Sequence, residues 1–264
     1  MVTAQLSELT VQAGPITAHV TRAGQGDPLV YLHGAFGHGG WPPFLDRLAE
    51  RFSVYAPVQP GFGETDGIEH LDDILDLTLY HYDLLDALEL RSPIIMGHFF
   101  GAMVAAEVAA LRPRIARKLV LVSPAGLWLD DDPGVDYFAT PAAELRGLLF
   151  RDPESAVARN TMPELDAEEE QARQSLERAR ALSTVAKFLW PIPDKGLHKR
   201  LHRITAPTLV VTGSDDQIVP AAYASEVTSR VPNSRAEVVR NAGHLPMLEQ
   251  PEQFARIVSD FLAE

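Results

Sequence analysis

The chain of 264 residues contains no cysteine, and this absence removes several kinds of chemistry at once. Disulfides, thiolate metal sites and a cysteine nucleophile are all excluded. The absence also fits a reducing cytosol. The segment from Met1 to Thr10 has polar and acidic residues and lacks the apolar stretch of a secretory signal. We therefore expect a cytoplasmic protein.

Long hydrophobic runs and an excess of positive charge are missing as well. No stretch approaches the ~18 apolar residues that a bilayer-spanning helix needs. Lysine and arginine total 23 against 36 aspartate and glutamate residues, so the formal net charge is −13. A field of that sign repels nucleic acid and anionic membranes. We expect neither as a partner, and a small-molecule substrate or ligand instead; the oligomeric state is left open.

Cofactor and metal motifs are a third absence. Gly37, Gly39 and Gly40 follow an early apolar run, but the Gly-x-Gly-x-x-Gly spacing of a dinucleotide site is not there. No phosphate loop is present either. The histidines in the strand-end loops, His33 and His98 among them, lack the spacing of metal ligands. The sequence therefore implies no cofactor and no metal.

Short apolar segments alternate with helical patterns along most of the chain. Continuous apolar runs such as Pro28–Leu32 are typical of strands buried on both faces of a parallel sheet. The alternation predicts an α/β fold with a mostly parallel, doubly wound sheet that begins with an antiparallel hairpin. The predicted strands are Glu8–Ala13, Ile16–Thr21, Pro28–Leu32, Ser53–Pro57, Pro93–Met96, Lys118–Val122, Pro207–Thr212 and Ala236–Val239.

The predicted helices fall into two groups. Four of them, Pro43–Arg51, Leu71–Leu88, Ala221–Val231 and Pro251–Leu262, alternate with strands, as does a helix that begins near residue 102. Between Leu127 and about His202 no strand is convincing, and only helical pieces are expected. This division predicts a core of residues 1–126 and 203–264 with a helical cap, residues 127–202, inserted after the sixth strand. The pieces are Ala142–Phe150, Pro153–Asn160 and Ala167–Leu189.

The stretch Gly97-His98-Phe99-Phe100-Gly101 joins a predicted strand to a predicted helix. A strand, a Gly-x-x-x-Gly turn and a helix form the frame of a nucleophile elbow, in which the middle residue is the nucleophile. Here the middle residue is Phe99, which has no nucleophilic atom. Without an oxygen, sulfur or carboxylate at this place, no covalent enzyme intermediate forms by the usual route.

Loops that follow strands deserve particular interest, because ligands of open α/β sheets bind beyond the carboxyl ends of the strands. Taken in order, these loops resemble those of the α/β-hydrolases over essentially the whole chain. The style is that of the small capped hydrolases of esters, lactones and meta-cleavage C–C products. The matching pieces are His33-Gly34, Pro60-Gly61-Phe62-Gly63, the Gly97/Gly101 frame, Gly213-x-x-Asp216 and Ala242-Gly243-His244.

This resemblance implies roles for particular residues. His244 would be the general base, and Asp216 the carboxylate that orients it, with its neighbour Asp215 as the rival for that role. Backbone N–H groups would form an oxyanion hole. The donors implied are Phe100 and either Ala35 or Phe36, and the residues expected around the ligand are His33, Gly34, Trp128 and Trp190.

Three hypotheses about function remain open. The first is an enzyme in which His244, oriented by Asp216, activates water or substrate without a covalent step, giving hydrolysis or lyase-type chemistry. The second is a ligand-binding pseudoenzyme, and the third is a serine hydrolase inactivated by a serine-to-phenylalanine replacement at Phe99. A substitute hydroxyl is a further possibility, with Ser123 as the best candidate. The aromatic residues of the cap indicate a small, largely apolar carbonyl compound: an ester, a lactone or a substrate with a scissile C–C bond.

Overall fold

The computed structural model describes residues 5–35 and 41–264 of the chain. In this part, eight strands form a single sheet in the order β1-β2-β4-β3-β5-β6-β7-β8. The predicted fold class is confirmed. The strands are β1 Ser7–Ala13, β2 Ile16–Ala23, β3 Asp27–Leu32, β4 Phe52–Pro57, β5 Ile94–His98, β6 Lys118–Val122, β7 Thr208–Gly213 and β8 Ser234–Val239.

Strand direction follows from the connections. β1 and β2 form an antiparallel hairpin that turns at Gly14, whose φ of 58° suits a residue without a side chain. β2 also runs antiparallel to β4, and the remaining pairs are parallel. β5, β6 and β7 are almost completely buried, as their continuous apolar runs indicated. Their carboxyl ends therefore meet at one edge of the sheet.

Helices cover both faces of this sheet. None of those in the described ranges is long and apolar enough to cross a membrane. The helices are α1 Pro43–Ala49, α2 Ile74–Ala87, α3 Phe100–Leu111, α4 Ala142–Leu149, α5 Ala156–Thr161, α6 Glu168–Leu189, α7 Ala221–Arg230, α8 Pro246–Glu249 and α9 Pro251–Ala263.

The start of α2 differs from the prediction, which placed it at Leu71. Asp73 has an extended backbone, and its side chain accepts hydrogen bonds from the N–H groups of Leu75 and Asp76, so the helix begins at Ile74. Leu75, in the first turn of the helix, is 49% exposed despite its apolar side chain. An aspartate cap outweighs the apolar pattern at this end.

The segment between β6 and β7, which we call the cap, contains α4, α5 and α6. Its last helix lies against the core through Phe188, whose ring stacks on that of Phe100 with centroids 5.9 Å apart. The segment that returns to β7 is tied to α3 by Arg200, which contacts the buried carboxylate of Glu107. The cap is therefore joined to the helix that follows the glycine turn.

Candidate active site

His244 and Asp216 meet at the carboxyl edge of the sheet. The imidazole Nδ1 lies 3.1 Å from both carboxylate oxygens of Asp216, and both side chains are fully buried. The same carboxylate accepts hydrogen bonds of 3.0 Å from the backbone N–H groups of Ile218 and Val219. Burial alone would raise the pKa of Asp216, but His244 and the backbone donors outweigh it, so the pKa lies below its ordinary value.

The second ring nitrogen of His244 has no comparable partner. Its Nε2 is buried and makes no hydrogen bond to any residue that the structure describes. The ring of Phe99 packs edge-on against the imidazole, with centroids 4.9 Å apart and an interplanar angle of 82°. An aromatic edge cannot replace a hydrogen-bond partner, so the described residues leave this nitrogen unsatisfied.

Phe99 stands on a sharply bent backbone, with φ of 48° and ψ of −107°. A positive φ is rare for a residue with a large side chain and marks a strained turn. The flanking glycines are required, because a Cβ on Gly97 would lie 2.3 Å from the carbonyl oxygen of Gly101. A Cβ on Gly101 would lie 2.1 Å from the carbonyl oxygen of Leu32. The Gly-x-x-x-Gly pattern thus reflects three segments of backbone in close approach.

The backbone donors predicted for an oxyanion hole are described only in part. The N–H of Phe100 opens α3, and no acceptor for it is found within residues 5–35 and 41–264. Ala35, three residues after the end of β3, is fully buried. Phe36, the other candidate in this loop, lies outside the described residues. A donor with no acceptor among the described residues therefore adjoins Phe99.

His33 and Gly34 were expected around the ligand, but neither lines the cavity described below. The Nε2 of His33 accepts a hydrogen bond of 2.9 Å from the backbone N–H of Gln59, so the ring proton is on Nδ1, which donates to the carbonyl of Gly34. The side chain of Gln59 donates to the carbonyl of His33 at 2.8 Å. Through these hydrogen bonds His33 and Gln59 hold the backbone of the loop after β3. Nothing in the sequence pattern singled out Gln59 for this role.

His98 holds the backbone of His244. The Nε2 of His98 lies 3.0 Å from the carbonyl oxygen of His244. Because a carbonyl oxygen can only accept a hydrogen bond, the Nε2 of His98 carries the ring proton. Burial, and then the proximity of His244, lower the pKa of His98 to about 3. His98 is therefore a neutral positioning group that fixes the loop of the candidate base.

Ser123, the candidate substitute hydroxyl, lies near the carboxylate of Asp216. It follows β6, is fully buried and has a positive φ of 45°. It is near enough to contribute to the lowered pKa of Asp216, yet its hydroxyl is in hydrogen-bond geometry with no described group. Asp216 engages Nδ1 of His244, whereas a nucleophile would need the free Nε2. Ser123 does not fit the role.

A cavity of about 280 Å³ lies between the cap and the core. Phe99 forms part of its wall on the core side, while His244 is not among the residues that line it. Trp128 and Trp190, both predicted to contact ligand, line the cavity and are 42% and 50% exposed. The ring of Tyr137, also in the wall, lies edge-on to that of Phe99 at 5.7 Å. Phe99 is thus held between the cap and the imidazole.

The cap also bonds directly to the loop of His244. The N–H of His244 donates to the carbonyl of Leu149, at the end of α4, over 2.9 Å. The carboxylate of Glu249 accepts from the N–H of Gly243 at 2.7 Å and from that of Arg151 at 2.8 Å. The position of the imidazole therefore depends on the cap. Among the described residues, no cluster of three or more histidine or acidic side chains is placed to hold a metal ion.

A family model and two curated relatives all indicate similarity to hydrolases. A family model described as "Alpha/beta hydrolase family" matches residues 29–257. The 2-hydroxy-6-oxo-6-(2'-aminophenyl)hexa-2,4-dienoic acid hydrolase of Metapseudomonas resinovorans is 27% identical over 97% of this chain and 91% of its own length. The pimeloyl-[acyl-carrier protein] methyl ester esterase of Xanthomonas campestris pv. campestris is 28% identical over 93% of this chain and 98% of its own length.

Solved structures show the same fold. The 2-hydroxy-6-oxo-6-phenylhexa-2,4-dienoate hydrolase from Rhodococcus sp. strain RHA1 superimposes with a TM-score of 0.81. Its sequence is 21% identical, and the match covers 99% of this chain and 100% of that one. The family match covers most of the chain and agrees with the doubly wound sheet, and the chain belongs to the α/β hydrolase family.

Proposed function

We propose that this protein binds a small, largely apolar carbonyl compound beneath its cap and that Phe99 blocks the covalent hydrolysis for which the rest of its site is built. By the resemblance of its glycine turn to a nucleophile elbow, Phe99 would stand at the place of the nucleophile. The relatives named above are hydrolases of dienoic acids and of a methyl ester, so their substrates carry a carbonyl group. Substrate class is taken from that similarity and from the apolar wall of the cavity.

One observation carries the proposal: the ring of Phe99 lies between the cavity and the candidate base. Phe99 lines the cavity and packs edge-on against His244, whereas His244 does not reach the cavity and its Nε2 is buried. A ligand in this cavity contacts the phenyl ring and not the imidazole. Neither a nucleophile nor a path to the base is then available.

Residues beside Phe99 would supply the remaining parts of a hydrolase site. His244 would be the general base, oriented by Asp216 through the bonds at Nδ1. The N–H of Phe100, which has no acceptor in the described part of the chain, would be one donor to an oxyanion. These groups surround Phe99, the one side chain that does not suit hydrolysis. A protein adapted only to binding has no need of an oriented base, so the arrangement supports a blocked hydrolase.

The test is to restore the missing atom with Phe99→Ser and to measure hydrolysis of aryl esters. We expect at least ~10²-fold more activity than the wild-type chain, with a covalent phosphonate adduct on the new serine, since nucleophile, base and donor would act together. The variant Phe99→Ala is the matched control, because it removes the ring without supplying an oxygen. An inactive, correctly folded Phe99→Ser variant would count against the proposal.

A second candidate is catalysis by His244 without a covalent step. It is favoured by the oriented imidazole whose Nε2 has no partner among the described residues, since rotation of Phe99 would expose an unused base. Such a base could activate water for hydrolysis or take a proton from the substrate in lyase-type chemistry. Turnover by the wild-type chain that survives phosphonates and disappears in His244→Ala would establish this candidate. Its absence over long incubation would leave the blocked hydrolase.

A further inference from the structure

The charges around the cavity are unusually sparse. Among the residues described, its wall includes no lysine, arginine or histidine, and its one acidic side chain is Asp136. Asp136 is exposed, and one of its oxygens accepts hydrogen bonds from the N–H groups of Phe138 and Ala139. The rest of the wall is aromatic, aliphatic, proline or glycine, apart from the hydroxyls of two tyrosines.

A carboxylate that entered this cavity would lose its hydration without gaining a cation. Burying an unpaired charge is far more costly than burying a neutral polar group of the same size. The long-range field adds to this, because the chain carries a formal net charge of −13. The acidic group of Asp136, at the wall itself, acts in the same direction.

Lys195 donates to the carbonyl of Trp190 over 2.8 Å, and Arg178 on α6 is a second cation that could overturn this reasoning. Arg178 does not line the cavity, and its Nη2 donates to the carbonyl of Thr140 over 2.7 Å. Its Nε is buried and has no partner among the described groups. A carboxylate would have to draw this side chain away from Thr140 and into the cavity, so Arg178 belongs in the test.

We infer that the cavity takes uncharged carbonyl compounds, such as esters, ketones or lactones, and discriminates against compounds that carry a free carboxylate. The inference takes the position of the ligand from the proposed function, on which it rests. It adds a statement about the charge of the ligand that the cavity accepts. It separates this chain from the hydrolases of dienoic acids to which it is similar in sequence and fold.

The test compares three ligands of nearly equal shape: methyl 3-phenylpropanoate, 3-phenylpropanamide and 3-phenylpropanoate. Binding to the wild-type chain can be followed by tryptophan fluorescence, because Trp128 and Trp190 line the cavity, with Trp190→Phe as the control for the origin of the signal. We expect saturable binding of the ester and the amide, and at least about tenfold weaker binding of the carboxylate.

Two matched variants at the exposed Val135 of the cavity wall make the test sharper. Val135→Arg should recover most of the affinity for the carboxylate, while Val135→Gln should not. Equal binding of carboxylate and amide by the wild-type chain would overturn the inference and leave the proposed function standing. Loss of that binding in Arg178→Gln would then identify Arg178 as the partner. Binding of none of the three ligands would overturn the assignment of the cavity, and with it both proposals.

Discussion

At the scale of single residues, the site depends on how closely the backbone at Gly34 approaches the imidazole of His98. A Cβ on Gly34 would lie 2.6 Å from Nδ1 of His98, nearer than side-chain atoms approach without displacement. His98 in turn bonds to the carbonyl of His244. The absence of a side chain at position 34 therefore permits the arrangement that holds the candidate base.

We expect Gly34→Ala to lower the free energy of unfolding by about 1–3 kcal/mol, because the added methyl overpacks a buried contact. The matched control is Gly147→Ala in α4, where a Cβ meets no atom within 4 Å. There the helix should gain about 0.5–1 kcal/mol. Urea denaturation of the three chains measures both effects. A Gly34→Ala variant as stable as the wild type would contradict the close approach.

Single residues also show how far the sequence leads. The lack of a nucleophilic atom at Phe99 and the roles implied for His244 and Asp216 can be inferred from motif order, because each motif occupies one fixed strand-end loop. The contact of the Phe99 ring with Tyr137 cannot, since the two residues are remote in sequence. The support from Gln59 was missed for the same reason.

At the scale of elements, a buried ion pair joins α3 to the segment that returns from the cap. Two nitrogens of Arg200 lie 2.8 and 2.5 Å from the carboxylate oxygens of Glu107, which is 1% exposed. Because α3 begins at Phe100, this pair fixes the helix of the glycine turn relative to the cap. Paired carboxylates tolerate such burial, while unpaired ones do not.

We expect Arg200→Met to cost about 3–5 kcal/mol of stability, because it leaves the carboxylate of Glu107 buried and unpaired. Glu107→Gln should cost less, since the remaining guanidinium is partly exposed and can reach water. The surface pair Arg230–Glu226 provides the control: Arg230→Ala should cost about 0.3–0.5 kcal/mol. Equal, small losses in Arg200→Met and Arg230→Ala would show that the buried pair is not formed in solution.

Most elements of the sheet could be predicted from periodicity, because buried parallel strands are continuous apolar runs. Element ends were less accurate, as at α2, where Asp73 decides the start. The pair between Glu107 and Arg200 was not predicted, since a charged residue in an otherwise apolar helix does not reveal its partner 93 positions away.

At the scale of the whole molecule, two buried histidines make the fold sensitive to acid. Burial lowers the pKa of His98 to about 3 and that of His81 to about 4. In the unfolded chain a histidine has a pKa of about 6.5. Above about pH 6.5 these histidines are neutral in both the folded and the unfolded chain, and the full free energy of unfolding is present. Below that pH the unfolded chain binds protons that the folded chain excludes. Stability is therefore lost as the pH falls.

Between about pH 6.5 and 4.5, we expect each of these histidines to remove up to about 1.4 kcal/mol of stability per pH unit. Urea denaturation at several pH values measures the slope. In His81→Phe the change of the unfolding free energy per pH unit should be smaller by the contribution of one histidine. Effects that the variant shares with the wild-type chain cancel in the comparison. An unchanged slope would mean that His81 is protonated without penalty in the folded state.

The central claim is that Phe99 separates His244 from the cavity, and the reactivity of His244 toward diethyl pyrocarbonate tests it most directly. Mass spectrometry can compare modification of His244 with that of His70, whose side chain is 47% exposed. We predict that His244 stays unmodified in the wild-type chain while His70 reacts, and that His244 becomes reactive in Phe99→Ala. Modification of His244 in the wild-type chain at the rate of His70 would contradict the claim.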